Sequence, residues 1–274
     1  MPESAWLDRP PWGLTGRVRG RLEATAREVA GEWGVALGAT IETGRYSFVA
    51  YAGPDAILKV TPVEDDEADH EADALALWAG DGAVRLLRHD RARRAMLVER
   101  AVPGTEAAAV GEEEALAAAL SVARRIWRPL PHGHPFRSLR GHVPRWIENA
   151  GEHELLRIAR ETFEKMDVRD GTLVHGDLHH HNVLRHGDRW VVIDAKAMAG
   201  EPEFDVPTFF WNPIGSVPTR ARIERWTAAF AAIGLDPARI REWAIVRGAY
   251  LGLPLSAGET EDDSPQLRTA RLVL

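Results

Sequence analysis

Residues 174 to 184 read VHGDLHHHNVL, a single segment that sets four histidines, an aspartate and an asparagine between apolar residues. Two chemistries compete for it. A metal cage needs histidines that converge on one ion. His179, His180 and His181 are consecutive, so an extended strand would turn only His179 and His181 to one side, and a helix would give none of them the i, i+4 spacing of a zinc site. Oxygen chemistry uses more of the segment. The carboxylate of Asp177 can receive a hydroxyl proton, and the amide oxygen of Asn182 can face a hard cation. A further carboxylate, Asp194, ends the apolar run VVID after a hairpin whose turn is His186-Gly187-Asp188.

The spacing sharpens that chemistry. His175, Asp177 and Asn182 fit H-x-D-x-x-x-x-N, the pattern with which kinase catalytic loops set an aspartate against the substrate hydroxyl and an asparagine against magnesium. Asn182 and Asp194 both offer oxygen, which magnesium prefers, and nucleotide phosphates complete its shell. Such a reaction also needs a grip on the nucleotide. In AILKV, residues 56 to 60, strand alternation puts Ile57 and Lys59 on one face, so Lys59 projects from an otherwise apolar strand. Glu71 follows on the next helix, and a strand lysine paired with a helix glutamate is how kinases hold the α- and β-phosphates of ATP. The stretch TGRYS, residues 43 to 47, can bend over phosphates with backbone N–H groups from Gly44 to Ser47, although a plain hairpin turn explains it equally well.

Positioning these groups takes strands first and helices after. Val18, Leu22, Ala26, Val29 and Trp33 make one apolar face of a helix over residues 18 to 33. Two β-rich runs broken at residues 43 to 46, and a third after Gly53-Pro54-Asp55, predict an antiparallel meander. An acid-led helix through Trp78 and two short strands in AVRLLRHD and RAMLVERAV follow. After Pro103-Gly104 helices dominate, at 112 to 127, 152 to 167, 220 to 233 and 237 to 252, interrupted by TLVHGD and the hairpin. The fold class expected is α+β in two lobes: a small antiparallel β-rich lobe over residues 1 to 102 and a larger, mainly helical lobe over 103 to 274.

Composition narrows the setting. With 274 residues, 45% hydrophobic and 27% charged, the chain can bury a core without staples, and with no cysteine it has neither disulfides nor a thiol nucleophile. The N-terminal MPESAWLDRPPWG carries acids and prolines where an export signal needs basic residues and an apolar run, and no run approaches the roughly 20 residues of a membrane span. A cytoplasmic protein without membrane or nucleic-acid partners is expected. The net charge of −7 suits a cationic small molecule better than phosphodiester.

HGDLHHHNVL, IDAKAMAGEPEFDV and HEADALALWAGDGAVRLL together resemble the aminoglycoside phosphotransferase superfamily, and within it the streptomycin 6-phosphotransferase and hydroxyurea phosphotransferase group, over residues 35 to 255. The resemblance implies a protein-kinase-like fold with ATP between the lobes and a phosphoryl group passed to a small-molecule hydroxyl. It implies Asp177 as the catalytic aspartate, Asn182 and Asp194 as magnesium ligands, and Lys59 with Glu71 as the phosphate-positioning pair. Glu99 to Ala101 would be the hinge whose backbone pairs with adenine. Asp205 would support the catalytic loop, or else serve as a helix N-terminal acid. Ala195-Lys196 stands where the group commonly has Pro-Lys, and His179 to His181 replace a mixture with glycine.

A streptomycin-like aminocyclitol is the first acceptor implied, with hydroxyurea or a cellular metabolite as the alternative. Glu201 and Glu203 read as solvated surface. Two readings from other classes remain: a metal-dependent hydrolase using His175, His179 and His181, and a nucleotide-binding regulator. Arg247, on the apolar stripe Ile240, Trp243, Arg247, Tyr250, needs a carboxylate partner or an acceptor contact.

Overall fold

A computed structural model describes residues 16 to 41 and 47 to 274. The first lobe is built on α1 (Gly16–Trp33), β1 (Leu37–Thr40), β2 (Phe48–Ala52), β3 (Ala56–Val60), α2 (Glu71–Trp78), β4 (Leu86–Asp90) and β5 (Ala95–Glu99). The strands form one antiparallel sheet in the order β1-β2-β3-β5-β4. Its two faces have different tasks. Leu58, Val60 and Leu97 pack with Leu22, Ala26 and Val29 of α1, burying the apolar stripe foreseen for that helix. Met96 and Val98 point the other way, into a core shared with Leu75 and Trp78 of α2. Lys59 pairs with Met96 in register, so strand alternation turns it toward α2 and away from α1.

The second lobe contains β6 (Pro103–Glu106), α3 (Glu112–Ile126), β7 (Arg128–Pro129), β8 (Arg137–Ser138), α4 (Leu139–Asn149), α5 (Glu154–Lys165), β9 (Thr172–Val174), β10 (Val183–His186), β11 (Arg189–Val192) and β12 (Met198–Gly200). It closes with α6 (Thr208–Trp211), α7 (Arg220–Ala231), α8 (Pro237–Leu251) and α9 (Pro265–Val273). Helix boundaries follow local chemistry. α3 starts on three glutamates and ends on two arginines, as its dipole favours, while Thr219, Asp236 and Ser264 cap α7, α8 and α9.

Two small sheets hold the site between these helices. One runs β11-β10-β6 and the other β7-β9-β12-β8. Of the second sheet only the segment of β9 is foreseen in the sequence, and α4, α6 and α9 are additions to the helices expected from it. The lobes are stitched together along α2: Trp78 donates its indole N–H to the Ile126 carbonyl at 2.8 Å, and Val84 donates to the Val192 carbonyl at 3.2 Å.

Candidate active site

The loop between β9 and β10 owes its shape to a buried carboxylate. Asp205 receives the backbone N–H groups of His175 and Gly176, each at 2.8 Å, and the Trp127 indole N–H at 2.9 Å. Its Oδ atoms therefore support the loop from behind, the first of the two roles foreseen for it. Gly176 has φ +84°, and a Cβ there would stand 2.2 Å from the Lys196 carbonyl oxygen, so only glycine fits. Arg247 braces the same turn, donating to the Gly176 and Phe204 carbonyls at 2.8 Å each with its guanidinium 4.0 Å above the Phe204 ring. Where a carboxylate partner or an acceptor contact is expected for Arg247, its N–H groups are taken by backbone oxygens. They come from residues 71 and 43 positions away in the chain, beyond the reach of a helical-stripe argument.

The four histidines separate into different environments. His175 is fully buried: its Nε2 donates to the Ile193 carbonyl at 3.0 Å and its Nδ1 accepts from the Asp177 N–H at 3.3 Å. Burial lowers its pKa, more than offsetting Asp205 and Asp177, so it is a neutral spacer stacked 6.1 Å from Trp78. Both ring nitrogens being engaged, it is unable to serve as a metal ligand. His180 is buried against Phe209 and Trp226, with ring centroids at 5.2 Å, and burial with Arg222 nearby pulls its pKa down to about 3. His181 pairs with Glu106 at 2.7 Å. Only His179 faces the aspartate, with Nε2 3.5 Å from Asp177 Oδ2. Burial alone would raise the Asp177 pKa, but His179 and Arg247 hold it down at about 2, and its side chain keeps 38% of its surface accessible. The result is an ionised, reachable acceptor of protons.

Asn182 and Asp194 meet through the hairpin. The Ile193 N–H donates to the Asn182 carbonyl at 3.1 Å, so β10 and β11 bring the two side chains to one end of the turn. Asn182 Nδ2 donates to the Asp177 carbonyl at 2.9 Å, which commits the amide nitrogen and leaves its oxygen free. Asp194 takes φ +58°, an uncommon conformation for a residue with a side chain, just beyond β11. One of its oxygens accepts from Lys59 Nζ at 2.6 Å, and the same ammonium donates to Glu71 Oε2 at 2.6 Å. Burial opposes the charge on both partners. Asp194 nevertheless lies below the usual carboxylate range because Lys59 and Lys196 flank it, and Lys59 is raised by Asp194 and Glu71. Among the described residues the second Asp194 carboxylate oxygen and the Asn182 amide oxygen have no hydrogen-bond partner, and such oxygens at one hairpin end are the kind of hard donors that magnesium takes.

The interlobe strand behaves differently from the side-chain cluster. Glu99 pairs with Arg85 at 2.9 Å and with His186 at 3.4 Å. Val102 is spoken for at both ends, its N–H on His186 Nδ1 at 3.1 Å and its carbonyl receiving the Gly187 N–H at 2.7 Å. Ala101 has no such tie among the described residues. Ser47 is buried with its hydroxyl 3.2 Å from that of Thr61, while Gly44 lies outside the described residues.

Glu201 and Glu203 correct the surface reading. They are only 1% and 4% exposed. Glu201 accepts the Trp243 indole N–H at 2.7 Å and pairs with Arg169 and Arg239, and Glu203 accepts the Asp236 N–H at 3.2 Å. They fasten the start of α8 to the strand behind the site. Lys196, which bridges to Asp65 at 3.6 Å, is a cleft residue that sequence reasoning missed, although Asp194-x-Lys196 places both on one side of an extended segment.

A β-sheet lobe and a helical lobe with a strand lysine, a helix glutamate and a loop aspartate between them define a kinase-like fold of the α+β class. The likeness to solved structures agrees. A choline kinase from Streptococcus pneumoniae superposes with a TM-score of 0.64 at 13% identity, covering 93% of this chain and 98% of that one. The GDP and kanamycin complex of APH(2'') gives 0.59 at 14% identity, covering 82% and 88%. At sequence level, the model of the aminoglycoside/hydroxyurea antibiotic resistance kinases matches residues 36–259, and the chain belongs to that family. Its relatives include the streptomycin 3''-kinase of Klebsiella pneumoniae, 33% identical over 72% of this chain and 77% of the relative. The hydroxyurea phosphotransferase of Kitasatospora aureofaciens is 33% identical over 86% and 71%, and the streptomycin 6-kinase of Streptomyces glaucescens 28% identical over 92% and 88%. The protein is therefore a small-molecule phosphotransferase with a hydroxyl acceptor. No described helix is long and apolar enough to cross a membrane.

Proposed function

We propose that the protein transfers the γ-phosphoryl group of ATP, in a magnesium-dependent reaction, to a hydroxyl of a cationic aminocyclitol of the streptomycin type, with hydroxyurea or another small hydroxyl compound as the alternative acceptor. The observation that carries this reading is the Lys59 ammonium held 2.6 Å from both Glu71 and Asp194, which ties the sheet, α2 and the hairpin end into one phosphate-facing group. Lys59 positions the α- and β-phosphates, and Glu71 keeps the ammonium aimed at them. The Ala101 backbone and the Glu99 carbonyl take the adenine edge, and Ser47 with Gly44 belong to the loop over the phosphates. Asn182 and Asp194 would hold magnesium, which when bound would supply charge neutralisation at the transferred group.

Asp177 acts on the acceptor. Its carboxylate accepts a hydrogen bond from the hydroxyl and orients the oxygen in line with the γ-phosphorus. As the new P–O bond forms and the bond to the β-phosphate oxygen breaks, the hydroxyl proton passes to Asp177 and ADP leaves. Arg247 and Asp205 keep the Asp177 loop rigid without touching the reacting atoms. We also place the boundary between nucleotide and acceptor lobes at residues 102 and 103 and the protein in the cytoplasm.

The test is mass spectrometry of streptomycin, hydroxyurea, other aminoglycosides and simple amino alcohols, each incubated with the protein and Mg-ATP. Streptomycin should gain one phosphoryl group, and the gain should vanish with Asp177→Asn. A product formed equally by that variant would remove Asp177 from the reaction.

A further inference from the structure

The loop joining β3 to α2 carries five carboxylates, Glu64, Asp65, Asp66, Glu67 and Asp69, and four of them have cationic partners. Glu64 pairs with Arg21 at 2.9 Å, Asp65 with Lys196 at 3.6 Å, and Asp66 with Arg137 at 2.8 Å. Asp69 is shared by Arg94 and Arg137. Glu67 has no ion pair among the described residues, and it is solvent-accessible. The flanking pairs also fix where it lies. Lys196 sits two residues beyond Asp194, and Arg137 stands two residues before the start of α4, so the loop is pinned over the cleft at one end and beside α4 at the other.

From that second anchor an aromatic line leads back to the catalytic aspartate. His142 lies on α4 one turn before Trp146, with ring centroids 6.0 Å apart, and Trp146 meets the Tyr250 ring of α8 at 5.4 Å. Tyr250 follows Arg247 by one helical turn, and Arg247 donates to the Gly176 carbonyl, next to Asp177. Trp146 and His142 remain partly exposed, while Tyr250 is 9% exposed. The mutual electrostatics agree with one shared space: Asp177 and Lys196 both act on Glu67, and Glu67 and Asp177 both act on Tyr250.

We propose that Glu67, Trp146 and Tyr250 form the acceptor subsite, Glu67 pairing with a guanidinium or ammonium group while the two rings take the adjoining face of the molecule. This rests on the phosphotransferase reading above and deepens it. A carboxylate without an ion pair among the described residues, in a loop where every neighbouring carboxylate has one, matches a ligand that brings its own charge. The aromatic faces add attraction for the same group and for the CH faces of a saturated ring. Specificity then comes from the distance between the charged group and the hydroxyl that must reach Asp177.

Steady-state kinetics of Glu67→Gln and Trp146→Leu, with streptomycin as the probe and ATP varied in parallel, test it. Glu67→Gln should raise the KM for streptomycin at least tenfold, with the KM for ATP unchanged. Trp146→Leu should act in the same direction, and a melting curve like that of the wild type separates lost contact from lost fold. Wild-type transfer to streptomycin combined with wild-type KM in Glu67→Gln and Trp146→Leu would overturn the subsite and leave the phosphotransferase reading standing. Transfer only to uncharged acceptors would likewise overturn it. Wild-type failure on every cationic member of the panel would instead defeat the acceptor class itself, and the subsite with it.

Discussion

Lys59 and Glu67 flank the same short stretch of chain and meet the cleft in opposite ways. Lys59 is buried, and two of the three N–H donors of its ammonium are held by carboxylates at 2.6 Å, which leaves one to meet a phosphate. Glu67 is accessible and has no ion pair among the described residues. The phosphates of a nucleotide are the same in every turnover, so the group that meets them can be fixed by packing and partnered in advance. An acceptor that arrives and leaves needs a group whose partner is the acceptor. In the proposed reaction the nucleotide end of the cleft would thus be preorganised, and the acceptor end would keep its charge open.

Asp177 stands where the two ends meet, and replacing it should have the largest effect. Asp177→Asn keeps the shape of the loop and removes the proton acceptor, so turnover should fall by about 10²–10⁴-fold. The melting shift produced by Mg-ATP should persist, because Asn182, Asp194 and Lys59 are untouched. Loss of the shift along with turnover would mean that Asp177 belongs to the nucleotide end, and the division drawn here would be misplaced.

The same comparison predicts contrasting stability. Lys59→Ala leaves Glu71 charged and buried without its partner, which should cost about 3–5 kcal/mol. Glu67→Gln touches no ion pair and should stay within about 0.5 kcal/mol of the wild type. Chemical denaturation of both variants without ligand makes the measurement. Equal destabilisation would contradict the contrast between a paired and an open charge.

Asp205→Ala tests the support behind the loop. Three donors, the buried His175 and Gly176 N–H groups and the part-buried Trp127 indole, would lose their acceptor. With about 1–3 kcal/mol for each group left unsatisfied, a loss of about 3 kcal/mol or more is expected. Asp205→Asn, which retains one acceptor oxygen, should recover part of it. A variant as stable as the wild type would show that water replaces the carboxylate.

How far the sequence could foresee this depends on how far apart the cooperating residues lie. Asp177 and Asn182 share a short loop, so their spacing is visible directly. Lys59 is visible because a strand alternates, and its partner Glu71 opens the next helix. Arg247 shows only that it sits on an apolar stripe, since its partners Gly176 and Phe204 arrive through tertiary packing. Glu201 and Glu203 look like surface acids until Trp243, Arg169 and Asp236 fold over them. α4 escaped notice because Pro144 interrupts its pattern, although Leu139, Val143 and Ile147 are spaced for one buried face. With α4 unread, Trp146 could not be placed beside Tyr250, and the acceptor end stayed illegible.

The smallest effect expected is the dependence on pH that His179 imposes on Asp177. Burial by itself would lower the His179 pKa, but Asp177 outweighs burial and raises it. A group whose folded pKa is raised contributes stability in full below its unfolded value, roughly 6.5 for histidine, and that contribution disappears as the pH rises through the folded value. Asp177, held down at about 2, remains ionised over the whole of that window and supplies no compensating change. The wild type should therefore gain on His179→Ala as the pH falls from about 8 to 5, by about 1 kcal/mol or less because both side chains are partly solvated. Activity carries a second signature. Without His179 the Asp177 pKa rises, so the acidic limb of the pH–rate profile should move to higher pH in the variant. Melting temperatures across about pH 5 to 8, and rates followed down to about pH 2 where the Asp177 limb of the wild type lies, check both signs. A limb that stays in place while stability changes would make His179 a packing residue of the loop and return Asp177's low pKa to Arg247.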